Sequence, residues 1–106
     1  MRSSVDIPGP AGLERILDRL RALMPELRQR YAIETLEVFG SWAHGEASTD
    51  SDLDLLVTFR EKPGLIKFVE IQDELSDLLG LEVDLVMRTA IKPALRTDIL
   101  GDAVRV

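Results

Sequence analysis

The sequence predicts a small α/β or α+β domain in which helices pack on a mixed β-sheet. Apolar residues recur every three or four positions in two long segments, and they alternate or run continuously in three short ones. The segments follow the order helix, strand, turn, strand, helix, strand, helix, and this mixture is typical of a sheet covered by helices.

Length and composition predict one domain. A chain of 106 residues, 45% of them hydrophobic, can form one modest core but not two. We therefore expect a single domain over residues 1–106. Residues 1–10 are rich in Ser, Pro and Gly and hold few apolar groups, so we expect them to lack ordered structure.

The first helix is predicted from Ala11 onwards. Pro25 disfavours helical geometry at Met24, so we expect a break or kink there, followed by a last turn through Arg30. The arginines of this segment alternate with acidic residues, which favours a solvated helix face over a basic site. The apolar face of the predicted helix consists of Leu13, Ile16, Leu17, Leu20, Leu23, Met24 and Leu27.

Two strands are predicted on either side of a loop in the middle of the chain. Leu36, Val38 and Phe39 indicate the first strand. The apolar residues of 53–57 are nearly continuous, which is typical of a strand that is buried on at least one face. Between them, the segment SWAHG at 41–45 is predicted to form a short helical turn.

A second long helix is predicted after the second strand. Pro63 suits its first turn, and Gly80 suits a cap directly after its end near Leu79. We expect its wide apolar stripe to pack on the sheet. The stripe consists of Leu65, Ile66, Phe68, Val69, Ile71, Leu75, Leu78 and Leu79.

The rest of the chain predicts a third strand and a short C-terminal segment. Residues 81–87 alternate between apolar and polar, which indicates a strand with Asp84 on the face opposite the apolar one. We expect a short helix over 91–100, interrupted near its start by Pro93, and a terminal strand or tail over 103–106.

Two aspartates open the second predicted strand. Because side chains at i and i+2 of a strand point to the same side, Asp52 and Asp54 project together while Leu53 and Leu55 take the other face. Both carboxylates are charged at neutral pH and repel each other unless a cation lies between them. Paired hard oxygen ligands suit Mg²⁺, which completes its shell with substrate phosphates.

The turn after the first strand has the features of a phosphate site. Gly40 permits close approach of a phosphate to the backbone, and the Ser41 hydroxyl can donate a hydrogen bond. The helical turn that follows would direct free N–H groups at an anion. Each signal alone is weak, since a Gly-Ser pair is usually only a turn and Asp-x-Asp usually a solvated strand end.

The combination resembles the signature of the DNA polymerase β-like nucleotidyltransferase superfamily. The matching features are Gly40-Ser41 after one strand, ten residues of 42–51, and Asp52-Leu53-Asp54 entering the next strand. The resemblance extends from the first helix to Arg88. It implies the polymerase β-like fold, metal ligation by Asp52, Asp54 and Asp84, and binding of the nucleotide triphosphate by Gly40 and Ser41.

The turn departs from this pattern at two positions. Many similar sequences have basic residues after Gly-Ser, whereas this chain has Trp42 and His44, so phosphate neutralisation by arginine cannot be transferred to it. Trp42 is as compatible with packing as with nucleotide contact. His44, the only histidine, fits capping of the turn better than a phosphate contact.

The small size of the chain indicates a minimal nucleotidyltransferase, similar to the antitoxins whose partner is a HEPN-domain ribonuclease toxin. Such antitoxins transfer AMP from ATP to a tyrosine of the toxin, and some bind it tightly in a hetero-oligomer. The resemblance thus implies ATP as substrate and two Mg²⁺ ions, with Asp84 on a metal or as the base for the acceptor hydroxyl. Two alternatives stay open: a catalytically idle antitoxin and transfer to a small molecule.

Charge and composition exclude several other function classes. A net charge of -6 argues against a direct nucleic-acid surface and is compatible with a basic protein partner. The absence of cysteine excludes disulfides and thiolate metal sites. No apolar run approaches the roughly 20 residues that span a bilayer, so we expect a cytosolic protein without a membrane partner.

Overall fold

A computed structural model describes residues 10–45, 52–92, 99 and 101–106 of the chain. The described residues include three continuous α-helices, one 3₁₀ turn and four strands, and Ile99, Gly101 and Asp102 are also helical. In chain order, the continuous elements are α1 (Pro10–Tyr31), β1 (Ile33–Phe39), α2 (Ser41–His44), β2 (Leu53–Phe59), α3 (Leu65–Leu79), β3 (Val83–Met87), the 3₁₀ turn (Arg88–Ala90) and β4 (Val104–Arg105).

The four strands form one mixed sheet in the order β3-β2-β1-β4. Strand β2 pairs in parallel with β3, while β1 pairs antiparallel with both β2 and β4. The parallel pair is connected through α3, as parallel neighbours require a long crossover. The predicted class, an α+β domain with a small mixed sheet, is confirmed.

The main core lies between one face of the sheet and the helices α1 and α3. Alternate residues of the strands reach it, among them Val38, Leu55 and Leu85. The opposite face of β2 is also covered, because Leu56 is buried there. Burial on both faces explains why β2 is almost continuously apolar. Among the described residues, no helix is both long and apolar enough to cross a membrane.

Helix α1 begins one residue earlier than predicted and continues through Pro25. A proline at the first helical position lacks only an N–H that would have no partner there, so Pro10 fits its place. The predicted break at Pro25 is wrong, and the alternative of a kink stays a prediction. Met24 and Leu27, on either side of it, are both buried in the core, and their burial holds the helix together despite one missing backbone hydrogen bond. The prediction for 1–9 lies outside the described residues.

Helix α3 has a narrower buried face than its sequence indicates. Leu65, Ile66 and Val69 are 79%, 78% and 44% exposed, so the expectation that the whole stripe packs on the sheet is wrong at its N-terminal end. Ile71 and Leu75 provide the fully buried contacts further along. The predicted end is confirmed, because Gly80 takes the left-handed conformation of a helix cap.

A polar cluster joins α1 to α3. The Tyr31 hydroxyl donates a hydrogen bond to Glu74, and Arg30 forms an ion pair with the same carboxylate at 2.6 Å. Burial and the hydrogen bond to Glu74 raise the pKa of Tyr31 to about 12. The same hydrogen bond, followed by Arg30, lowers the pKa of the Glu74 carboxyl. The two helices are therefore held together by polar contacts as well as by the core.

The C-terminal strand is confirmed for Val104–Arg105, which pair with β1. The predicted helix over 91–100 is wrong at its start, because Ile91 has an extended backbone and Lys92 is not helical. Ile91 instead buries its side chain, being 7% exposed. Ile99 is helical, while 93–98 and residue 100, including the predicted interruption at Pro93, lie outside the described residues.

Candidate active site

Asp54 and Asp84 lie directly opposite each other on the parallel strands β2 and β3. Adjacent strands are roughly 4.8 Å apart, and paired residues direct their side chains to the same face. This face is opposite the main core, since the neighbours Leu53, Leu55 and Val83 are all buried in that core. The structure therefore brings together two aspartates that are thirty positions apart in the sequence.

Asp52 precedes the first residue of β2 and is exposed. It is near enough to act on the site electrostatically. Burial, and then the carboxylates of Asp84 and Asp52, raise the pKa of the Asp54 carboxyl above its usual range. In the described part of the chain, Asp54 has no hydrogen-bond or ion-pair partner to offset this repulsion.

The carboxylates of this site fit a divalent cation that takes only some of its ligands from the protein. Within the described ranges, no three Asp, Glu or His side chains converge into a ready-made metal cage. Two facing carboxylates are nevertheless what Mg²⁺ commonly takes from a protein, the rest of its shell being water and substrate phosphate. The unpaired side chain of Asp54, whose pKa is raised by burial and then by its acidic neighbours, is the observation that favours a cation here.

The turn between β1 and α2 contacts the Asp54 carboxylate. Phe39 pairs with Asp54 across the sheet, so the following residue, Gly40, lies beside the aspartate side chain. A Cβ atom added to Gly40 would overlap Asp54 Oδ2 and would be 3.2 Å from its Cγ. Gly40 also has φ 74° and ψ -150°, a backbone region that is almost restricted to glycine.

The short helix α2 is confirmed, and it begins with Ser41 next to the carboxylates. The backbone N–H groups of Ala43 and His44 donate to the Gly40 carbonyl, which closes the turn. The predicted phosphate site therefore lies beside the predicted metal site. Phosphate binding by Gly40 and Ser41 stays a prediction.

Trp42 and His44 have different environments. Trp42 is 5% exposed and belongs to the main core, which favours the packing interpretation. His44 is half exposed, and its Nε2 lies 3.4 Å from Oδ2 of Asp102 in the C-terminal segment. It provides no side-chain cap for α2, since Gly45 ends the helix.

An open cleft of about 370 Å³ lies in front of the facing aspartates. Besides Asp54 and Asp84, it contains a lysine that was not predicted as a site residue. Lys92 lies eight positions after Asp84, and no local pattern in the sequence marks it as a site residue. The cleft is lined by Phe39, Asp54, Asp84, Val86, Ala90, Ile91, Lys92 and Ile99.

Glu37 was also missed by sequence reasoning. It lies on the same sheet face as the aspartates, and its Oε2 is 3.2 Å from Arg88 Nε. This ion pair fastens the start of the 3₁₀ turn to β1. The segment that leads from β3 into the cleft is thereby held against the sheet.

Comparison with known proteins gives three consistent similarities. Residues 20–106 match a family described as the nucleotidyltransferase domain. The protein adenylyltransferase MntA of Thermococcus cleftensis is 46% identical over 94 residues, which cover 89% of this chain and 95% of the relative. A solved structure described as a minimal nucleotidyltransferase is 39% identical with a TM-score of 0.74, over 89% of this chain and 95% of that one.

A more distant structure shares the fold. It is the complex of a tri-AMPylated HEPN toxin with its MNT antitoxin from Shewanella oneidensis, and it aligns with a TM-score of 0.56 at 20% identity. The alignment covers 88% of this chain and 66% of that one.

Proposed function

The chain belongs to the nucleotidyltransferase domain family, and on that premise we propose that it is an antitoxin that transfers AMP from ATP to a tyrosine of a HEPN-domain toxin. The observation that carries the proposal is the pair of facing aspartates beside the Gly40 turn. The adenylyltransferase relative supports ATP as the donor, and the AMPylated HEPN toxin supports a protein acceptor.

Asp52, Asp54 and Asp84 would hold the two Mg²⁺ ions of this reaction. When bound, the ions stabilise negative charge on the phosphate oxygens of the donor. Asp54 and Asp84 face each other, and Asp52 adds charge from the exposed side. Gly40 and Ser41 would bind the triphosphate at the neighbouring turn, where the absence of a Cβ leaves the backbone accessible.

The proposed reaction is an in-line displacement at the α-phosphorus. The tyrosine oxygen forms a bond to the α-phosphorus, the bond from that phosphorus to the oxygen bridging to the β-phosphate breaks, and pyrophosphate leaves with the electron pair. We assign removal of the phenolic proton to Asp84 in addition to metal binding, since its carboxylate is exposed. The proposal places this reaction in the cytosol, in a stable complex with the toxin.

The test uses the complex of the chain with a HEPN-domain toxin as the candidate acceptor. Incubation with ATP labelled at the α-phosphate should label the toxin. Asp54→Asn should reduce labelling by at least about a hundredfold, since it removes a facing carboxylate. Asp77→Asn is the matched control, because Asp77 is an exposed aspartate on α3, which packs on the opposite face of the sheet.

Three other results would contradict the proposal. Label found only in a small molecule would favour a small-molecule acceptor. Neutralisation of the toxin by wild type and Asp54→Asn alike, without any label, would favour an idle antitoxin that acts by binding alone. Label that persists after every tyrosine of the toxin is replaced by phenylalanine would exclude tyrosine as the acceptor.

A further inference from the structure

The described residues of the Gly40 turn provide no basic side chain for the phosphates. Residues 40–45 contain only His44 as a potential cation, and its imidazole lies against Asp102. The cleft in front of the aspartates does contain a basic side chain. Lys92 lines the same cleft as Asp54 and Asp84, and it is the single basic residue among the lining residues described.

The residues directly before Lys92 are anchored to the sheet and to the core. Arg88 is tied to Glu37 of β1 at 3.2 Å, and the Ile91 N–H donates to the Arg88 carbonyl at 3.4 Å. The Ile91 side chain is buried directly before Lys92. Lys92 therefore directly follows an anchored segment.

The Lys92 ammonium is available for a ligand. It is exposed, and it forms no ion pair or hydrogen bond with any residue in the described part of the chain. A lysine ammonium in an otherwise acidic cleft is a point charge suited to an anionic group.

We propose that Lys92 binds the phosphate chain of the nucleotide donor, donating hydrogen bonds to its non-bridging oxygens from within the cleft that contains Asp54 and Asp84. The inference rests on the proposed function, since it names a further binding residue for the same donor. It also explains how a chain of net charge -6 captures a polyphosphate anion without a basic residue in its turn.

Direct binding to the isolated chain tests this proposal without any transfer. Equilibrium dialysis in Mg²⁺ would compare ATP, inorganic tripolyphosphate and adenosine for wild type and three variants. Lys92→Gln should weaken the binding of ATP and of tripolyphosphate by about tenfold, equivalent to about 1.4 kcal/mol, and leave the binding of adenosine unchanged. Lys92→Arg should restore most of the affinity for both phosphate ligands.

Lys67→Gln is the control for loss of one positive charge. Lys67 is an exposed lysine of α3, paired with Glu70 at 3.7 Å and not part of the cleft, so its replacement should leave all three affinities unchanged. Unchanged ATP affinity in Lys92→Gln would overturn the inference. So would an equal loss for adenosine and ATP, because a merely structural role would affect both.

The two proposals fail in different experiments. If wild type binds ATP with the Lys92 dependence described but never labels a protein, the proposed acceptor is wrong and the phosphate contact stands. If wild type labels the toxin and Lys92→Gln binds ATP and tripolyphosphate as wild type does, the phosphate contact is wrong and the proposed function stands.

Discussion

Gly40 and Asp54 are the two residues whose contact determines the geometry of the site. Sequence reasoning assigned Gly40 to close approach of a phosphate, and the structure adds a second requirement from within the chain. The space that a side chain would need at Gly40 is already taken by the Asp54 carboxylate. Any larger residue at Gly40 would therefore displace an aspartate of the predicted metal site.

A series of Gly→Ala substitutions separates steric overlap from backbone strain. Gly64→Ala should be nearly neutral, because its φ is -72° and no atom lies within 4 Å of the added Cβ. Gly80→Ala should lower the unfolding free energy by about 1–2 kcal/mol, because its φ is 70° in open space. Gly40→Ala should lower the unfolding free energy more than either of the others, by about 3 kcal/mol or more in total, because backbone strain and steric overlap add. Urea unfolding measures all three.

The contribution of the overlap follows from a double-mutant cycle. Asp54→Ala removes the Oδ2 and Cγ atoms that the new Cβ would meet, so Gly40→Ala should cost less in that background than in wild type. Equal costs in the two backgrounds would show that Gly40 and Asp54 are not in contact.

The two candidate roles of Asp84 can be separated by the pH dependence of transfer. A tyrosine phenol has an unperturbed pKa near about 10, so at neutral pH a base must take its proton. If Asp84 is that base, Asp84→Asn should lower the transfer rate by on the order of a hundredfold, while ATP binding largely persists. Raising the pH toward 10 should partly rescue this variant, because more of the acceptor arrives ionised.

The contrasting result would identify Asp84 chiefly as a metal ligand. In that case ATP affinity and transfer rate should fall together, with no rescue at high pH. Wild-type transfer by Asp84→Asn would remove Asp84 from the mechanism. The rate is measured as label transferred to the toxin across pH, and affinity by dialysis.

At the level of elements, the strands were easier to predict than the helix details. Apolar and polar residues that alternate, or an unbroken apolar run, are visible in a short stretch of sequence, so β1, β2 and β3 could be predicted from it. The predicted break at Pro25 is wrong because burial of Met24 and Leu27 outweighs one lost hydrogen bond. The sequence placed both residues on an apolar face, but the strength of their packing depends on the tertiary structure. The α3 stripe failed because Leu65 and Ile66 precede the part of the helix that reaches the sheet.

The link between α1 and α3 predicts a specific alkaline response. The folded-state pKa of Tyr31, about 12, lies above its unfolded value near 10. Tyr31 therefore contributes stability that is complete below pH 10 and is lost as the pH rises through 12. The unfolding free energy of wild type should fall over this range relative to Tyr31→Phe, which has no ionisable phenol.

The comparison with Tyr31→Phe isolates this contribution. Arg30, Glu26, Glu74 and Lys67 surround the phenol and remain in both proteins, so their own titration largely cancels in the difference. Tyr31 is the only tyrosine of the chain, so no second phenol interferes. Chemical denaturation at several pH values between 8 and 12 gives the difference directly. Parallel curves for the two proteins would contradict the proposed hydrogen bond to Glu74.

At the scale of the whole molecule, the sequence predicted the class of the fold but not the order of its strands. The pairing of Asp54 with Asp84 depends on β2 and β3 being parallel neighbours, which no local pattern reveals. Lys92 was missed for the same reason, since its role depends on where the segment after β3 crosses the sheet. The motif identified the candidate site residues in the sequence, whereas the order of the strands determines which other residues lie next to them in the fold.

The acidic site predicts how the whole domain responds to its ligands. Unliganded, it holds mutually repelling carboxylates in a chain of net charge -6, so a bound cation and nucleotide should stabilise the fold. Mg²⁺ and ATP at about 100 times their dissociation constant should add about 2.7 kcal/mol, which corresponds to a rise in Tm of roughly 10 °C for a domain of this size. EDTA should abolish most of the rise.

Asp54→Asn tests this prediction more sharply, because it should leave the Tm of the unliganded protein equal or higher and lower the Tm of the liganded protein relative to wild type. Without ligand, its Tm should equal or exceed that of wild type, since one repelling charge is gone from a half-buried position. With Mg²⁺ and ATP, it should gain only a small part of the wild-type shift, whereas the control Asp77→Asn should gain all of it. If wild type shows no shift at saturating ligand, the carboxylates do not bind a metal–nucleotide complex, and the domain neutralises its partner by binding alone.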